Sequence, residues 1–188
     1  MKRLGIFGGI FDPIHFGHLQ VAEASRDFLN LSNLIFVPSG FPPHKESPVA
    51  SCQDRLNMLE MAISKNPYFS ISKLEIERKE CSYTKDTVEK LKVIYKATEF
   101  YFVIGSDTIS ELSQWKEIDK LFREIQFVAV TRQGFPIKDT NSNIQIITSP
   151  TLAISSSEIR RRVKEGRSIK YLVPERVEEY IYKNDVYK

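Results

Sequence analysis

The sequence predicts an α/β fold in which a doubly wound, mostly parallel sheet is followed by a small C-terminal helical element. Short apolar runs of strand length alternate with helical patterns along almost the whole chain, and this alternation is typical of parallel sheets. With 188 residues, 41% hydrophobic and 27% charged, the chain has the size and composition of one soluble domain. We therefore expect residues 1–188 to form a single domain, with 166–188 as its terminal helical element.

The first element is a strand, Arg3 to Phe7, that ends in a glycine-rich turn. The segment Gly8-Gly9-Ile10-Phe11-Asp12-Pro13-Ile14-His15-Phe16-Gly17-His18 follows the strand and leads into a helical pattern. Glycines let backbone N–H groups approach a ligand, and a helix start adds unpaired donors and partial positive charge. The turn therefore predicts a phosphate site, with both histidines on one side. Two alternatives stay open: a plain turn with both histidines at the surface, and a metal site.

The second strand, Leu34 to Pro38, leads into the loop Ser39-Gly40-Phe41-Pro42-Pro43-His44-Lys45. The two prolines stiffen this loop, so its last two residues can be presented to an anion; an ordinary surface loop is the alternative. Ser51 or Asp54 can cap the helix that follows, and Arg55 near its start is predicted to be a solvated charge.

Three features in the middle of the chain bear on function. Thr84 is a natural N-cap for the helix that follows it. The apolar run Phe100 to Ile104 is typical of a central buried strand and ends in Gly105-Ser106-Asp107. The aspartate in this turn can either accept ribose hydroxyls or cap a helix. Trp115, the only tryptophan, is either a packing residue or a flat surface for an aromatic ligand.

The last strands precede a second informative segment. Ile125 to Val130 predicts a buried strand with Arg132 just beyond its end, and Ile144 to Ile147 predicts a short one. In Ile154-Ser155-Ser156-Ser157-Glu158-Ile159-Arg160-Arg161-Arg162, the first serine and the glutamate have capping-box spacing. Serine hydroxyls, N–H donors and Arg160 at a helix start suit a triphosphate. The two following arginines are predicted to be solvated.

Composition limits the partners and the compartment. A net charge of +3 fits an anionic small ligand and does not call for nucleic acid. Cys52 and Cys81 are too few for a disulfide framework, no apolar stretch approaches a membrane span, and no signal peptide is recognisable. We therefore expect a cytoplasmic protein without a membrane partner, and the sequence leaves assembly into a homo-oligomer open.

Both signatures resemble those of the nucleotidyltransferase superfamily, in which they take the forms HxGH and ISSxxIR. The longer first string is similar to that of bacterial nicotinate-nucleotide adenylyltransferases, as are the Pro-Pro-His-Lys loop, Ser82 to Thr87, and Tyr171 to Pro174. Three positions depart from the family pattern: Ile10, Lys85 and Lys116 stand where Thr, an aromatic residue and Tyr are usual.

The resemblance implies a Rossmann-like fold and transfer of the adenylyl group of ATP, with Mg²⁺, to nicotinate mononucleotide. The products would be nicotinate adenine dinucleotide and pyrophosphate, in NAD biosynthesis. The catalytic residues it implies are His15, His18, Lys45 and Arg160, and no side chain is assigned to a metal. The ATP-binding residues it implies are Gly8, Gly9, Ile10, Phe11, His18, Gly105, Asp107, Arg132, Ile154, Ser155, Ser156 and Arg160. The mononucleotide-binding residues it implies are His15, His44, Lys45, Ser82, Tyr83, Thr84 and Trp115.

Two rival functions stay open at this point. One is pantetheine-phosphate adenylyltransferase, an enzyme of the same superfamily, and the other is a nucleotide-binding regulator without turnover. Trp115 and the Ser82 to Thr87 string argue against the first rival. The sequence also leaves open whether the acid or the amide form of the mononucleotide is preferred.

Overall fold

The computed structural model describes residues 2–40, 47–78, 82–96, 98–131, 142–150 and 152–188. Its strands are β1 (Lys2–Gly9), β2 (Asn33–Pro38), β3 (Phe69–Ile71), β4 (Thr98–Gly105), β5 (Gln126–Val130) and β6 (Ile144–Ile147). In these ranges the strands form one six-stranded sheet in the order β3-β2-β1-β4-β5-β6. Every neighbouring pair is parallel, which confirms the predicted fold class with a sheet that is parallel throughout.

Helices cover both faces of this sheet. They are α1 (Phe16–Phe28), α2 (Cys52–Ile63), α3 (Thr84–Ile94), α4 (Ile118–Glu124), α5 (Ser156–Lys164), α6 (Glu175–Lys183) and a 3-10 helix (Ser106–Gln114). Buried side chains of α1, α2, α5 and α6 share one apolar cluster with one face of the strands. Those of α3, α4 and the 3-10 helix share the other. The sheet is therefore doubly wound, as the alternation of patterns predicts.

The strands form because their apolar runs are buried from both sides. In β2, Leu34, Ile35, Phe36 and Val37 are each 1% exposed or less. Successive residues face opposite clusters, so Leu34 and Phe36 pack on one side while Ile35 and Val37 pack on the other. Continuous burial of this kind is the usual environment of a parallel strand.

The strand order places a crevice at the centre of the sheet. From β1 the chain moves outward to β2 and β3, then returns to β4 on the other side of β1. At such a reversal, the loops beyond the carboxyl ends of the two central strands diverge and leave room for a ligand. Here those ends carry Gly8 and Gly9 of β1 and Gly105 of β4. The fold thus opens beside both glycine turns.

Helix caps agree only in part with the sequence. Ser51, and not Asp54, caps α2 by accepting from the backbone N–H of residue 54. The N-cap of α3 is Tyr83, without a side-chain cap hydrogen bond, so the prediction that Thr84 is the cap was wrong. No helix among the described residues is long and apolar enough to cross a membrane.

Candidate active site

The two histidines of the first signature stack on each other. His15 is the N-cap of α1, and its Nδ1 accepts a hydrogen bond from the backbone N–H of His18 at 3.3 Å. The two ring centroids are 3.7 Å apart. A Cβ at Gly17 would lie 3.0 Å from the His15 ring, so the glycine makes room for the stack. Because His15 is 1% exposed, the alternative with both histidines at the surface is excluded.

An aromatic cluster holds the ring of His18 from the core side. Phe11 packs edge-on against His18, with centroids 5.1 Å apart and ring planes at 81°. Phe7 contacts both rings, at 5.6 Å from Phe11 and 6.3 Å from His18. A Cβ at Gly9 would lie 2.8 Å from the Phe11 ring, so this glycine lets the phenyl ring pack beneath the turn. The orientation of His18 is therefore set by core packing.

Both signatures line one open cavity of about 520 Å³, which we call the phosphate cavity. The first signature contributes the Gly8 to Asp12 turn and His18, and the second contributes Ser156 and Arg160. Arg160 Nη1 donates to the backbone oxygen of Asp12 at 2.8 Å, and Ser156 Oγ donates to that of Pro13 at 2.9 Å. Segments about 150 residues apart in sequence thus meet around one space, where N–H donors and a guanidinium can hold a polyanion.

The carboxylate of Asp12, which is only 4% exposed, is held by three donors. Its Oδ2 accepts from Val49 N at 2.8 Å, while its Oδ1 accepts from Ala50 N at 3.1 Å and from the Tyr187 hydroxyl at 2.7 Å. Arg160 Nη1 lies 3.9 Å from Oδ2. Burial, and next the negative charge of Asp12, raise the pKa of Tyr187 far above its ordinary value. The phenol therefore stays a hydrogen-bond donor.

Arg55 has a structural role that sequence reasoning missed. It is fully buried, and its Nη1 donates to the carbonyl oxygens of Ile10 and Ser39, each at 2.7 Å. Its Nη2 also contacts Cys52 Sγ at 3.3 Å. The prediction of a solvated charge was wrong, because the two carbonyls replace water around the guanidinium. Arg55 thereby ties the phosphate turn to the end of β2.

A second space, the aromatic cavity, has a volume of about 350 Å³ and adjoins the first. The two share Gly8, Gly9, Ile10 and Gly105 in their walls. The rings of Tyr83, Phe102 and Trp115 line the aromatic cavity, the last two in an edge-to-face contact at 5.6 Å. Flat faces of this kind suit an aromatic ligand.

Polar groups gather where α3 begins at the wall of the aromatic cavity. Ser82 and Thr84 line it, and α3 starts without a side-chain cap. Ser82 is 4% exposed, and its Oγ has no hydrogen-bond partner among the described residues. A buried hydroxyl without a partner is costly unless a ligand completes it. This end of the cavity is therefore suited to an oxygen-bearing substituent.

Glu75 is a largely buried carboxyl group that also lines the aromatic cavity. Thr87 Oγ1 donates to its Oε1 at 2.7 Å. Burial raises the pKa of Glu75, and hydrogen bonds from Thr87 and Ser39 with the charge of Arg78 offset part of that rise. The carboxyl group thus joins the first turn of α3 to the end of β2. No periodicity or motif around it distinguishes it from the charged segment that follows.

The remaining predicted residues lie in a cavity lining, beside the cavities, or outside the described residues. Gly105, and not Asp107, is the N-cap of the 3-10 helix, and Asp107 lines the phosphate cavity. Ser155 caps α5 by accepting from Glu158 N at 3.2 Å. Beside the cavities, and not in their linings, lie His15, Ile154 and Ser155. Outside the described residues lie His44, Lys45 and Arg132.

The second signature differs from the sequence prediction in its ion pairs. Glu158 does not complete a capping box with its side chain. Its carboxylate instead pairs with Arg161 at 2.7 Å and with Arg162 at 2.8 Å. These arginines are only partly solvated, because a neighbouring acid on the same helix face is within reach. Arg160 alone of the three turns toward the phosphate cavity.

Comparison with known proteins identifies the class and then the family. The cytidylyltransferase-like family model matches residues 6–162, so the chain belongs to that class of nucleotide-transferring proteins. A Moorella thermoacetica protein named "Probable nicotinate-nucleotide adenylyltransferase" is 46% identical over 99% of this chain and 92% of its own length. A Geobacillus kaustophilus protein of the same name is 44% identical over 100% and 87%. The chain therefore belongs to the nicotinate-nucleotide adenylyltransferases.

A solved structure supports the same family. The Plasmodium falciparum nicotinic acid mononucleotide adenylyltransferase, complexed with NaAD, superimposes with a TM-score of 0.84 at 26% sequence identity. The match covers 100% of this chain and 98% of that chain. The family resemblance inferred from the two signatures is confirmed.

Tyr187→Phe should lower the free energy of unfolding by about 2 kcal/mol, because it removes a buried hydrogen bond to a carboxylate while keeping the ring. Urea denaturation measures the loss. Tyr180→Phe is the matched control, since this half-buried hydroxyl donates to Asp54 and accepts from Asn57, each at 2.9 Å, away from the phosphate turn. If Tyr180→Phe lost as much free energy of unfolding as Tyr187→Phe, or more, the importance assigned to the hydrogen bond with Asp12 would be contradicted.

Glu75→Gln should stabilise the protein relative to wild type increasingly as pH rises. Burial raises the pKa of Glu75, so the folded state keeps this proton to higher pH than the unfolded chain. Its contribution to stability is complete below the ordinary carboxyl pKa and is lost as pH rises through the raised value. Thermal melts from about pH 4 to about pH 8 test this trend, with the exposed Glu60→Gln as control. A difference from wild type that shrinks with pH would refute it.

Proposed function

We propose that the chain transfers the adenylyl group of ATP to nicotinate mononucleotide, releasing pyrophosphate and forming nicotinate adenine dinucleotide. An oxygen of the mononucleotide phosphate attacks the α-phosphorus, and the bond to the β-phosphate oxygen breaks as pyrophosphate leaves with the electron pair. The observation that carries this proposal is the meeting of both signatures at one phosphate cavity, which adjoins a cavity lined by aromatic rings. This function is also that named for the relatives.

ATP is assigned to the phosphate cavity. Its triphosphate would lie between the Gly8 to Asp12 turn and the start of α5, where Ser156 and Arg160 supply donors and positive charge. Its ribose would reach Asp107 at the end of β4. Arg132, just beyond β5 in sequence, is proposed to contact ATP on the same side as Asp107.

Nicotinate mononucleotide is assigned to the aromatic cavity. Its pyridine ring would stack on Trp115, and its carboxylate would face the start of α3 at Ser82 and Thr84. Its phosphate would then point to the glycine wall that both cavities share. His44 and Lys45, which follow β2 in sequence, are proposed to bind that phosphate.

The chemistry needs positioning and charge stabilisation more than a base. The attacking phosphate is already anionic near neutral pH, so no side chain has to remove a proton. His18 and Arg160 line the cavity where charge develops on the α-phosphate and the leaving group. His15, buried and stacked on His18, would act by fixing the position of that ring. Lys45 is proposed to supply further positive charge.

Mg²⁺ is proposed to enter with ATP, held mainly by phosphate oxygens and water. Among the described residues, no three His, Cys, Asp or Glu side chains are grouped to hold a metal ion. Asp107 and Glu111 line the phosphate cavity, so they are the carboxylates that could contact the hydrated ion. Asp12 also lines this cavity, and its oxygens accept hydrogen bonds from Val49, Ala50 and Tyr187.

The cellular setting is also part of the proposal. A charge of +3 and two cysteines favour a single cytoplasmic domain with small-molecule partners and no nucleic acid or membrane. Assembly into a homo-oligomer stays a prediction that light scattering would test.

A pyrophosphate-release assay with ATP, Mg²⁺ and candidate acceptors tests the reaction. We expect release with nicotinate mononucleotide, and none with pantetheine phosphate, because Trp115 and the start of α3 suit a pyridine ring. Release only with pantetheine phosphate would favour that rival adenylyltransferase. Binding of ATP without release from any acceptor would favour a regulator and overturn the proposal.

His18→Ala should lower kcat about a hundredfold or more, because it removes a contact to charge developing in the transition state. The free energy of unfolding should change by only about 1 kcal/mol. Steady-state kinetics and urea denaturation of the same preparation separate the two effects. Asp27→Ala, an exposed site on α1, is the control and should leave both unchanged. Wild-type turnover in His18→Ala would exclude the assigned role.

A further inference from the structure

We propose that Lys116 selects the acid over the amide mononucleotide by pairing its ammonium group with the carboxylate on the pyridine ring. This inference rests on the proposed function and deepens it. It concerns a position where the chain departs from the family pattern, which usually has Tyr. The observations that support it are the charges, the partners and the lining of the aromatic cavity.

The polar end of the aromatic cavity offers donors for an anionic substituent. Ser82 Oγ is buried and has no partner among the described residues. Beside it, the N–H groups that open α3 carry no side-chain cap and bear partial positive charge. An amide could satisfy some of these groups, since its oxygen also accepts hydrogen bonds. Donors alone therefore discriminate weakly between the two substrates.

Lys116 brings a full positive charge to this end. It lines the aromatic cavity next to Trp115, and its Nζ lies 4.5 Å from the centroid of the Tyr83 ring. Tyr83 is the N-cap of α3, so the ammonium packs on the side chain of the residue that begins this helix. A cation over a ring keeps donors available for a further partner. The residue thus places an ammonium group where the substituent is expected.

Neighbouring charges make this cation important for an anionic ligand. Glu75 and Glu111 also line the cavity, so a carboxylate enters a wall that already holds acidic groups. The other nearby lysine, Lys85, is not in the lining and pairs with Glu117 at 2.6 Å. Lys116 is therefore the cation, among the described residues of this lining, that can offset the charge of the substrate.

Only the acid gains a charge-assisted interaction with Lys116, since the amide is neutral. The side chain is exposed, so water and salt screen the pair and the gain is moderate. We expect the ratio of kcat/KM for the acid to that for the amide to be about fivefold higher with Lys116 than with an uncharged residue. This preference should shrink as salt is added.

The test is competition between the two mononucleotides in Lys116→Met. The acid-to-amide ratio of kcat/KM should fall about fivefold, mainly through weaker use of the acid. Lys116→Arg, which keeps the charge, should retain most of the preference. Lys85→Met is the matched control, because it removes the same charge from a lysine already paired outside the lining, and its ratio should match wild type.

Trp115 provides a second measurement that needs no turnover. As the only tryptophan of the chain, it should report each mononucleotide by a change in fluorescence. Tighter binding of the acid by wild type, reduced in Lys116→Met, would support the inference even if pyrophosphate release failed. An unchanged ratio of affinities, or equal weakening of both ligands, would overturn it. Absence of turnover with preserved selective binding would count against the proposed reaction only.

Discussion

The buried carboxylate of Asp12 is the interaction on which the site depends. It joins the phosphate turn to the residues before α2 and to Tyr187, and it lies beside Arg160. A buried charge is tolerated only when hydrogen bonds or an opposite charge replace water. Its partners come from segments up to 175 residues away. The hydrogen bonds that satisfy this carboxylate therefore hold distant parts of the chain next to one another. These contacts fix the position of the turn that lines the phosphate cavity.

Arg55 and Glu75 extend the same principle to the other walls. The first joins the turn to the end of β2 through two carbonyl oxygens, and the second joins that end of β2 to α3. Each is a polar group buried where the loops after neighbouring strands approach one another. The crevice at the centre of the sheet is therefore bounded by loops that are joined to one another next to the two cavities.

The sequence predicts the fold well because the apolar runs that indicate buried strands are local features of the sequence. The apolar run of β2 and the glycines that end β1 can be recognised without knowing their partners, and so can the cap of α5 at Ser155. The hydrogen bonds that join the loops cannot be recognised in this way, because they depend on contacts that exist only in the folded chain. Arg55 has the local pattern of a surface charge near a helix start, yet its partners lie 45 and 16 residues away. For His44, Lys45 and Arg132 the assigned roles remain predictions.

The packing of Phe11 against His18 links the imidazole of His18 directly to the apolar interior. Because the His18 ring packs directly on Phe11, the packing of the neighbouring phenyl rings sets its orientation. A core substitution that shifts these phenyl rings would therefore also shift the imidazole.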